Sequence, residues 1–316
     1  MAIKKTTRKE HVNTALLKSL CSVHAPSGEE YRMKEFLLNH IKKERKKWKH
    51  PVQIIQGEMF QDCLILKFGK PRTAVFAHMD TVGFTVRYFN QLVSIGSPDA
   101  EMGTRLTGKD SLGEIDCTLE YDKDDHAFYQ FGRPVERGTS LTYKIDFRES
   151  EDFITSPYLD NRLGILNALK LCETLKDGVV IFSCWEEHIG GSVGYLAEYI
   201  FKKWGVRQAL ISDITWVSDG VEPGKGVVIS LRDRNVPRKV FVEKIISLAK
   251  RSGIPFQLEV EGSGSSDGGE LQRSHLPFDW CFIGAPENGP HTPHEQVHKL
   301  DVLTMFKLYE FLMQKL

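Results

Sequence analysis

The stretch GVVIFSCWEEHIGG, residues 178–191, combines an apolar run with a pair of acidic residues. The run Val179–Phe182 has the length and the β-branched content typical of a strand that is buried on both faces. Glu186 and Glu187 follow it, and two glycines close the segment. A carboxylate pair beside a buried strand is costly to desolvate unless a cation neutralises it. We therefore expect a metal pair at this point of the chain.

The composition is that of an ordinary soluble globular protein. The chain has 316 residues, of which 41% are hydrophobic, and this is enough for one large core and a smaller domain. Lys+Arg and Asp+Glu both count 42, so no net charge favours nucleic acid or an anionic membrane. We expect neither as a partner.

The cellular compartment is predicted from what the sequence lacks. No segment reaches the ~20 consecutive apolar residues of a membrane helix, and the start, MAIKKTTRKEH, has no apolar signal-peptide core. The six cysteines form no CxxC pair and several lie in apolar runs, which is typical of reduced core residues. We expect a cytoplasmic protein.

Strand and helix patterns alternate along much of the chain. Four apolar runs, TAVFA, VVIFSC, ALIS and WCFIG, alternate with helical segments, and VQIIQ and CLILKF are further strand candidates. One helix is predicted from about Gly28 to Lys43, with Ser27 and Glu30 as a capping box. The pattern predicts an α/β fold, with a mostly parallel mixed sheet flanked by helices.

Residues 85–157 differ from their surroundings. Short alternating runs are separated by Gly/Asp-rich turns, and no helix is evident, which predicts a small all-β domain. We expect it to interrupt a catalytic domain made of residues 1–84 and 158–316. Such an insert more often caps a site or makes an oligomer contact than performs chemistry.

Polar residues that are candidates for a functional site end or follow the apolar runs. His78 and Asp213 end two of them, the Glu pair follows the third, and His291 comes a little after the last. In open α/β sheets the ligand crevice lies outside the carboxyl ends of the strands, so these residues should meet there. Asp160 opens a helix, where a cap is the simpler interpretation. His294 and His298 compete with His291 as candidates.

The chemistry of this set indicates a metal. Asp80 lies two residues from His78 on an extended chain, so it can orient one ring nitrogen while the other binds a metal. Imidazole and carboxylate ligands without a thiolate suit zinc, cobalt or manganese. Two divalent ions against Asp160, Glu187 and Asp213 leave one positive charge, which acidifies a bridging water.

Glu186 is not needed as a metal ligand and can serve in proton transfer. It would accept a proton from the attacking water and pass it to the leaving amine, as general base and general acid. Neighbouring residues of a regular strand point in opposite directions, so Glu186 and Glu187 can share a site only if the chain bends. Gly190 and Gly191 make such a bend plausible.

The motifs resemble those of the TET-type glutamyl or deblocking aminopeptidases, a family also labelled cellulase M. The resemblance spans nearly the whole chain and rests on APSGEE, AHMDTVGF, LDNRLG, WEEHIGG, ISDITW, SSDGG and HTPHE. It implies a zinc-aminopeptidase-like fold with an inserted β domain, and homo-oligomers from dimers to dodecamers. It also allows a cis peptide bond between Asp160 and Asn161.

The resemblance implies a role for each site residue. One metal is held by His78, Asp160 and Asp213, and a second by Asp160, Glu187 and His291, with Glu186 as the base. The family commonly has an acidic residue where Asn161 stands, and an Arg-Tyr pair near residues 287–290, which read ENGP here.

The function predicted from the sequence is a cytoplasmic, dinuclear metal aminopeptidase acting on short peptides. The same metals could serve an amidohydrolase, a deacylase or a carboxypeptidase, and a non-catalytic relative is the alternative outside enzymes. Cellulose hydrolysis also uses paired acids, but the histidines and the lack of an aromatic sugar platform disfavour it.

Overall fold

The computed structural model of the protein describes residues 11–316. The charged start of the chain, which entered the signal-peptide prediction, lies mostly outside the described residues. The α-helices are α1 (Thr14–Cys21), α2 (Tyr31–Glu44), α3 (Leu159–Cys172), α4 (Val193–Trp204), α5 (Lys239–Ser252), α6 (Asp267–Arg273) and α7 (Lys299–Lys315). None of the helices in this part of the chain is both long and apolar enough to span a bilayer.

The strands form two sheets. In chain order they are β1 (Val52–Ile55), β2 (Leu64–Phe68), β3 (Ala74–His78), β4 (Gly83–Val86), β5 (Leu92–Ile95), β6 (Arg105–Asp110), β7 (Gly113–Tyr121), β8 (Ala127–Gln130), β9 (Ser140–Tyr143), β10 (Arg148–Glu149), β11 (Phe153–Thr155), β12 (Gly178–Ser183), β13 (Gln208–Trp216), β14 (Val227–Arg232), β15 (Phe256–Val260), β16 (Asp279–Asn288) and β17 (Gln296–His298).

The large sheet has eleven strands, in the order β1-β2-β12-β3-β13-β16-β17-β11-β10, with β14 on β16 and β15 on β14. The four apolar runs of the sequence form β3, β12, β13 and β16, which are parallel neighbours. Their residues are buried because α3 and α7 pack on the sheet and complete one continuous core. The predicted α/β fold is confirmed, and parallel strands place their carboxyl ends at one edge.

The second sheet has six antiparallel strands, in the order β5-β4-β9-β6-β7-β8, and its own hydrophobic core. Its side chains alternate between buried and exposed along β7, as expected when one face of a sheet packs on a core. The short strands β10 and β11 follow it in the chain but pair in the large sheet, through β17. The described residues therefore form two separate hydrophobic cores.

The helix predicted from about Gly28 begins later than expected. It is α2, which starts at Tyr31 and has no side-chain cap, so the predicted capping box is wrong. The Ser27 hydroxyl instead donates to the carboxylate of Asp80 at 2.6 Å, and the Glu30 carboxylate accepts the backbone N–H of Gly28 at 2.8 Å. A buried acceptor far along the chain competes successfully with the local cap.

Candidate metal centre

The carboxyl edge of the parallel strands carries the predicted site residues. His78 is the last residue of β3, and the Glu pair follows β12 after a short turn. Asp213 lies inside β13, because this strand runs on to Trp216 in register with β16, so the prediction that the strand ends at Asp213 is wrong. Its side chain nevertheless lies 3.6 Å from the ring of His78.

The chain bends sharply after β12, and this bend brings both glutamates to the site. Trp185 has a φ of 65°, and Gly190 and Gly191 have φ values of 81° and 138°. Positive φ is accessible to glycine without steric cost, which is why the segment ends in two glycines. The backbone N–H groups of Glu186 and Glu187 both donate to Asp80, at 3.1 and 3.0 Å.

Two sets of three side chains share Asp160. His78 Nε2 lies 3.2 Å from Asp160 Oδ1, and Asp213 completes the first set. His291 Nε2 lies 3.4 Å from Asp160 Oδ2 and 3.1 Å from Glu187 Oε2, which forms the second set. Each set offers three ligand atoms within 4.8 Å of one another. The two oxygens of one carboxylate thus face two histidines.

Asp160 does not act as a helix cap. The residue before α3 is Tyr158, no side-chain cap is formed there, and the Asp160 side chain contacts the two histidines instead. The peptide bond between Asp160 and Asn161 is cis. The Asn161 side chain donates to the Ser212 carbonyl and accepts the Gly164 N–H, so it connects α3 to β13.

The outer nitrogen of each histidine lies close to an oxygen atom. His78 Nδ1 lies 3.4 Å from Asp80 Oδ1, outside hydrogen-bond geometry. His291 Nδ1 lies 3.1 Å from the carbonyl oxygen of Ser97, a residue that follows β5 of the second sheet. Metal-binding histidines commonly donate their second N–H in this way. The sequence predicted the contact of Asp80 but gave no signal for Ser97.

Glu295 is a further residue whose role sequence reasoning missed. Its carboxylate accepts the backbone N–H of Asp160 and that of His291, each at 3.1 Å. It therefore connects the backbone of Asp160 to that of His291. Glu295 is 1% exposed. Glu295 is the last residue of the HTPHE motif, so the sequence pointed to this segment, but it gave no signal for the two hydrogen bonds.

The electrostatics of the site favour a bound cation. Burial lowers the pKa of His78, but the nearby Asp213 and Asp160 carboxylates outweigh burial and raise this pKa well above its ordinary value. Burial raises the pKa of Glu187. Four carboxylates, including that of Glu186, surround only two imidazoles, so the cluster has excess negative charge in a poorly solvated place.

The donor set fits divalent metal ions. The Oε1 atom of Glu187 is buried and has no hydrogen-bond partner among the described residues, which is costly unless another group contacts it. Nitrogen and carboxylate oxygen are suitable ligands for zinc, cobalt or manganese. A third and exposed set, Asp122, Asp124 and His126, also has its ligand atoms within 4.8 Å of one another, but Asp122 and His126 pair with each other at the surface.

Glu186 lies beside these sets without belonging to either. Its Oε2 atom is 4.0 Å from His78 Nε2, and its side chain is 16% exposed. Burial raises its pKa well above the ordinary value, and the charge of Asp213 adds to this effect. A carboxyl shifted toward neutral pH can both accept and return a proton.

Comparisons with known proteins find relatives that cover nearly the whole chain. A curated protein of Acetivibrio thermocellus named "Putative aminopeptidase" is 26% identical, over 93% of this chain and 96% of its own. An aminopeptidase of Desulfurococcus kamchatkensis superposes with a TM-score of 0.82 at 20% identity, covering 96% of this chain and 94% of that one. The TET1 peptidase of Pyrococcus horikoshii superposes with a TM-score of 0.79 at 20% identity, covering 95% and 98%.

The family assignment rests on a match to a family sequence profile. The sequence profile of the M42 glutamyl aminopeptidases matches residues 115–308, which is more than half of the chain. This range includes four of the five predicted ligands. The superpositions on the solved structures cover 96% and 95% of the chain. The chain therefore belongs to the M42 glutamyl aminopeptidase family and is a peptide hydrolase.

Proposed function

We propose that the protein is a metal-dependent aminopeptidase that removes N-terminal residues from short peptides. Two divalent ions are held by the two sets that share Asp160. The first set adds His78 and Asp213, and the second adds Glu187 and His291. The observation that carries the proposal is the position of Asp160, whose two oxygens lie 3.2 and 3.4 Å from the two imidazoles.

The side chains divide the work between binding and proton transfer. When bound, the ions supply positive charge that polarises the scissile carbonyl and acidifies a water molecule. Glu186 accepts the proton of the attacking water at its carboxylate and returns it to the leaving amine. Asp80 orients His78 and holds the backbone of the Glu pair. Zinc is the ion we favour, with cobalt and manganese as alternatives.

Replacing Glu186 tests the proton-transfer role. Glu186→Gln preserves size and removes the base, so we expect unchanged zinc content and a turnover on aminoacyl-anilides that is about 100- to 10,000-fold lower. Elemental analysis and steady-state kinetics give the two readouts. Glu101→Gln, which neutralises an exposed carboxylate, serves as the control. Full activity of Glu186→Gln would refute the assignment.

The substrate class is tested with the wild-type protein. We expect cleavage of aminoacyl-anilides with a free amino group by protein reloaded with zinc, cobalt or manganese. N-acyl amino acids are the comparison, because a deacylase or a carboxypeptidase with the same site would prefer them. Preference for the acylated compounds would replace the aminopeptidase proposal with one of these alternatives.

We also propose that residues 85–157 form a β domain that completes the site and contributes to a homo-oligomer. The Ser97 carbonyl and the Tyr143 hydroxyl both contact His291, which supports the first part. The Pyrococcus horikoshii TET1 peptidase is reported to assemble into a tetrahedron or an octahedral shell, which supports the second. Light scattering should give a dimer or a larger assembly up to a dodecamer, and a monomer would contradict the proposal.

A further inference from the structure

The predicted ligands open onto one cavity of about 400 Å³. Its wall away from the ligands is formed by the end of β13, by β14 and β15, and by the glycine-rich turn that precedes α6. The residues of this wall include Thr215, Trp216, Asp233, Arg234, Glu259 and Glu261. A peptide whose scissile bond lies beside Glu186 has room here for one side chain.

Three carboxylates in this wall have no cationic partner among the described residues. Glu259 is 6% exposed and accepts the hydroxyl of Thr215. Asp233 is also 6% exposed and accepts N–H groups of Asn235. The half-buried Glu261 accepts two backbone N–H groups of its own turn. Their hydrogen-bond partners are neutral groups, so no ion pair within the described residues offsets a negative charge on them.

This imbalance is costly where the carboxylates are buried. Burial raises the pKa of Glu259 and that of Asp233 above their ordinary values, because the charged forms lose solvation. A cation that enters the cavity would offset the loss, and the attraction is strongest where solvent is excluded. The cavity is therefore better suited to a positively charged group than to a neutral or a negative one.

Trp216 gives the cavity an apolar side. Trp216 is 37% exposed, and a Cβ atom placed on Gly264 would lie 3.7 Å from its indole and 3.7 Å from Cγ of Glu261. The glycine-rich turn thus packs against the indole and brings a carboxylate next to it. A lysine or arginine side chain has an apolar stem and a charged end. The stem matches the Trp216 indole, and the charged end matches the carboxylate beside it.

Arg234 is the one lysine or arginine that lines the cavity within residues 11–316. It is exposed, and it also lines a neighbouring cavity that contains Glu186, Glu270 and Arg273. It therefore lies at the boundary between the two cavities, where water screens its charge. Glu259 is the better placed residue to discriminate between side chains, because it is desolvated.

We propose that this cavity binds the side chain of the substrate's N-terminal residue and selects lysine or arginine, with Glu259 as the specificity-determining carboxylate. The proposal rests on the aminopeptidase function proposed above. Trp216 packs on the stem of the substrate side chain, and Glu259 faces its charged end. Glu261 adds negative charge at the cavity wall.

The first test compares substrates and variants by kcat/KM. Wild-type protein should cleave lysyl- and arginyl-anilides at least about 10-fold better than leucyl- and glutamyl-anilides. Glu259→Gln should remove most of this preference, because the lysyl and arginyl values should fall much further than the leucyl value. Glu222→Gln, which neutralises an exposed carboxylate elsewhere in the chain, is the matched control and should change nothing. A preference for glutamyl-anilide would assign the selection to Arg234 and overturn the proposal.

An equal loss of kcat/KM on the lysyl and leucyl substrates in Glu259→Gln would also overturn the proposal. Glu259 would then bind the α-amino group that all substrates share. A binding test separates this proposal from the aminopeptidase function. In calorimetry, L-lysine should bind at least about 10-fold more tightly than L-norleucine, which lacks only the ammonium group. Tighter lysine binding without cleavage of any anilide would refute the function alone. Cleavage of anilides with equal binding of both amino acids would refute the subsite alone.

Discussion

Asp80 connects three parts of the site through a single carboxylate. It accepts the hydroxyl of Ser27 and the backbone N–H groups of Glu186 and Glu187, and it lies 3.4 Å from His78. It therefore fixes the position of one predicted ligand and of the segment that carries another. Because its side chain is fully buried, we expect Asp80 to support the site and not to contact substrate.

Asp80→Ala should weaken metal binding without removing a ligand. The His78 ring loses its orienting partner and two buried N–H groups lose their acceptor, so we expect zinc affinity to fall about 10- to 100-fold. A competition titration against a chromophoric chelator measures it, with circular dichroism as the folding check. Ser27→Ala removes one donor only and should have a smaller effect. Unchanged zinc affinity in folded Asp80→Ala would contradict this role.

Glu287 differs from Asp80 in that its buried carboxyl group has no hydrogen-bond partner among the described residues. Neither oxygen has a hydrogen bond among the described residues. Burial, and then the charge of Glu295, raises its pKa well above the ordinary value of 4.5. Its neighbours across the sheet are Trp216 and Val297, which are apolar. The side chain is therefore expected to reduce stability.

Glu287→Met, a replacement of similar size, should raise the free energy of unfolding of the metal-free protein by about 1–3 kcal/mol. The folded state holds the carboxyl proton more tightly than the unfolded chain does, so the wild-type penalty grows as the pH rises above 4.5. The gain should accordingly be larger at pH 7 than at pH 4.5. Urea unfolding at both pH values measures it, and a loss of stability would show that the carboxyl has a favourable partner.

At the scale of elements, the turn between β12 and α4 determines whether the two glutamates reach the site. Gly190 has a φ of 81°, and a Cβ atom there would collide with the Glu270 carboxylate, which accepts the N–H of Gly191. The turn is thus held by its own backbone conformation and by a carboxylate from α6. A side chain at this glycine disturbs both.

Gly190→Ala should lower kcat/KM on the order of 10- to 100-fold, because a small displacement of Glu186 misplaces the base. Gly194→Ala is the matched control, since it lies in α4 and its added Cβ meets no atom within 4 Å. This control should keep full activity and gain up to about 1 kcal/mol of stability. Equal activity of both variants would mean that the turn tolerates the change.

The sequence predicted well those features that a local pattern encodes. The four apolar runs form β3, β12, β13 and β16, and the polar residues that follow or end them lie close together in the structure. The sequence did not predict that β13 continues past Asp213, because this depends on its pairing with β16. The contact of Ser97 with His291 was equally inaccessible, since it joins two loops 194 residues apart through a backbone carbonyl.

At the scale of the whole molecule, residues on or beside both sheets contribute to the candidate metal centre. The large sheet supplies His78 and Asp213, and the second sheet holds His291 through the chain after β5. The predicted ligands are spread from residue 78 to residue 291, so the centre can form only in the folded chain. Ions that bind the folded state alone should then stabilise it.

The central claim is that two ions share Asp160, and anomalous scattering from zinc-loaded crystals tests it most directly. We predict two peaks, one between His78, Asp160 and Asp213, and one between Asp160, Glu187 and His291. A single peak, or peaks that do not both contact Asp160, would contradict the account.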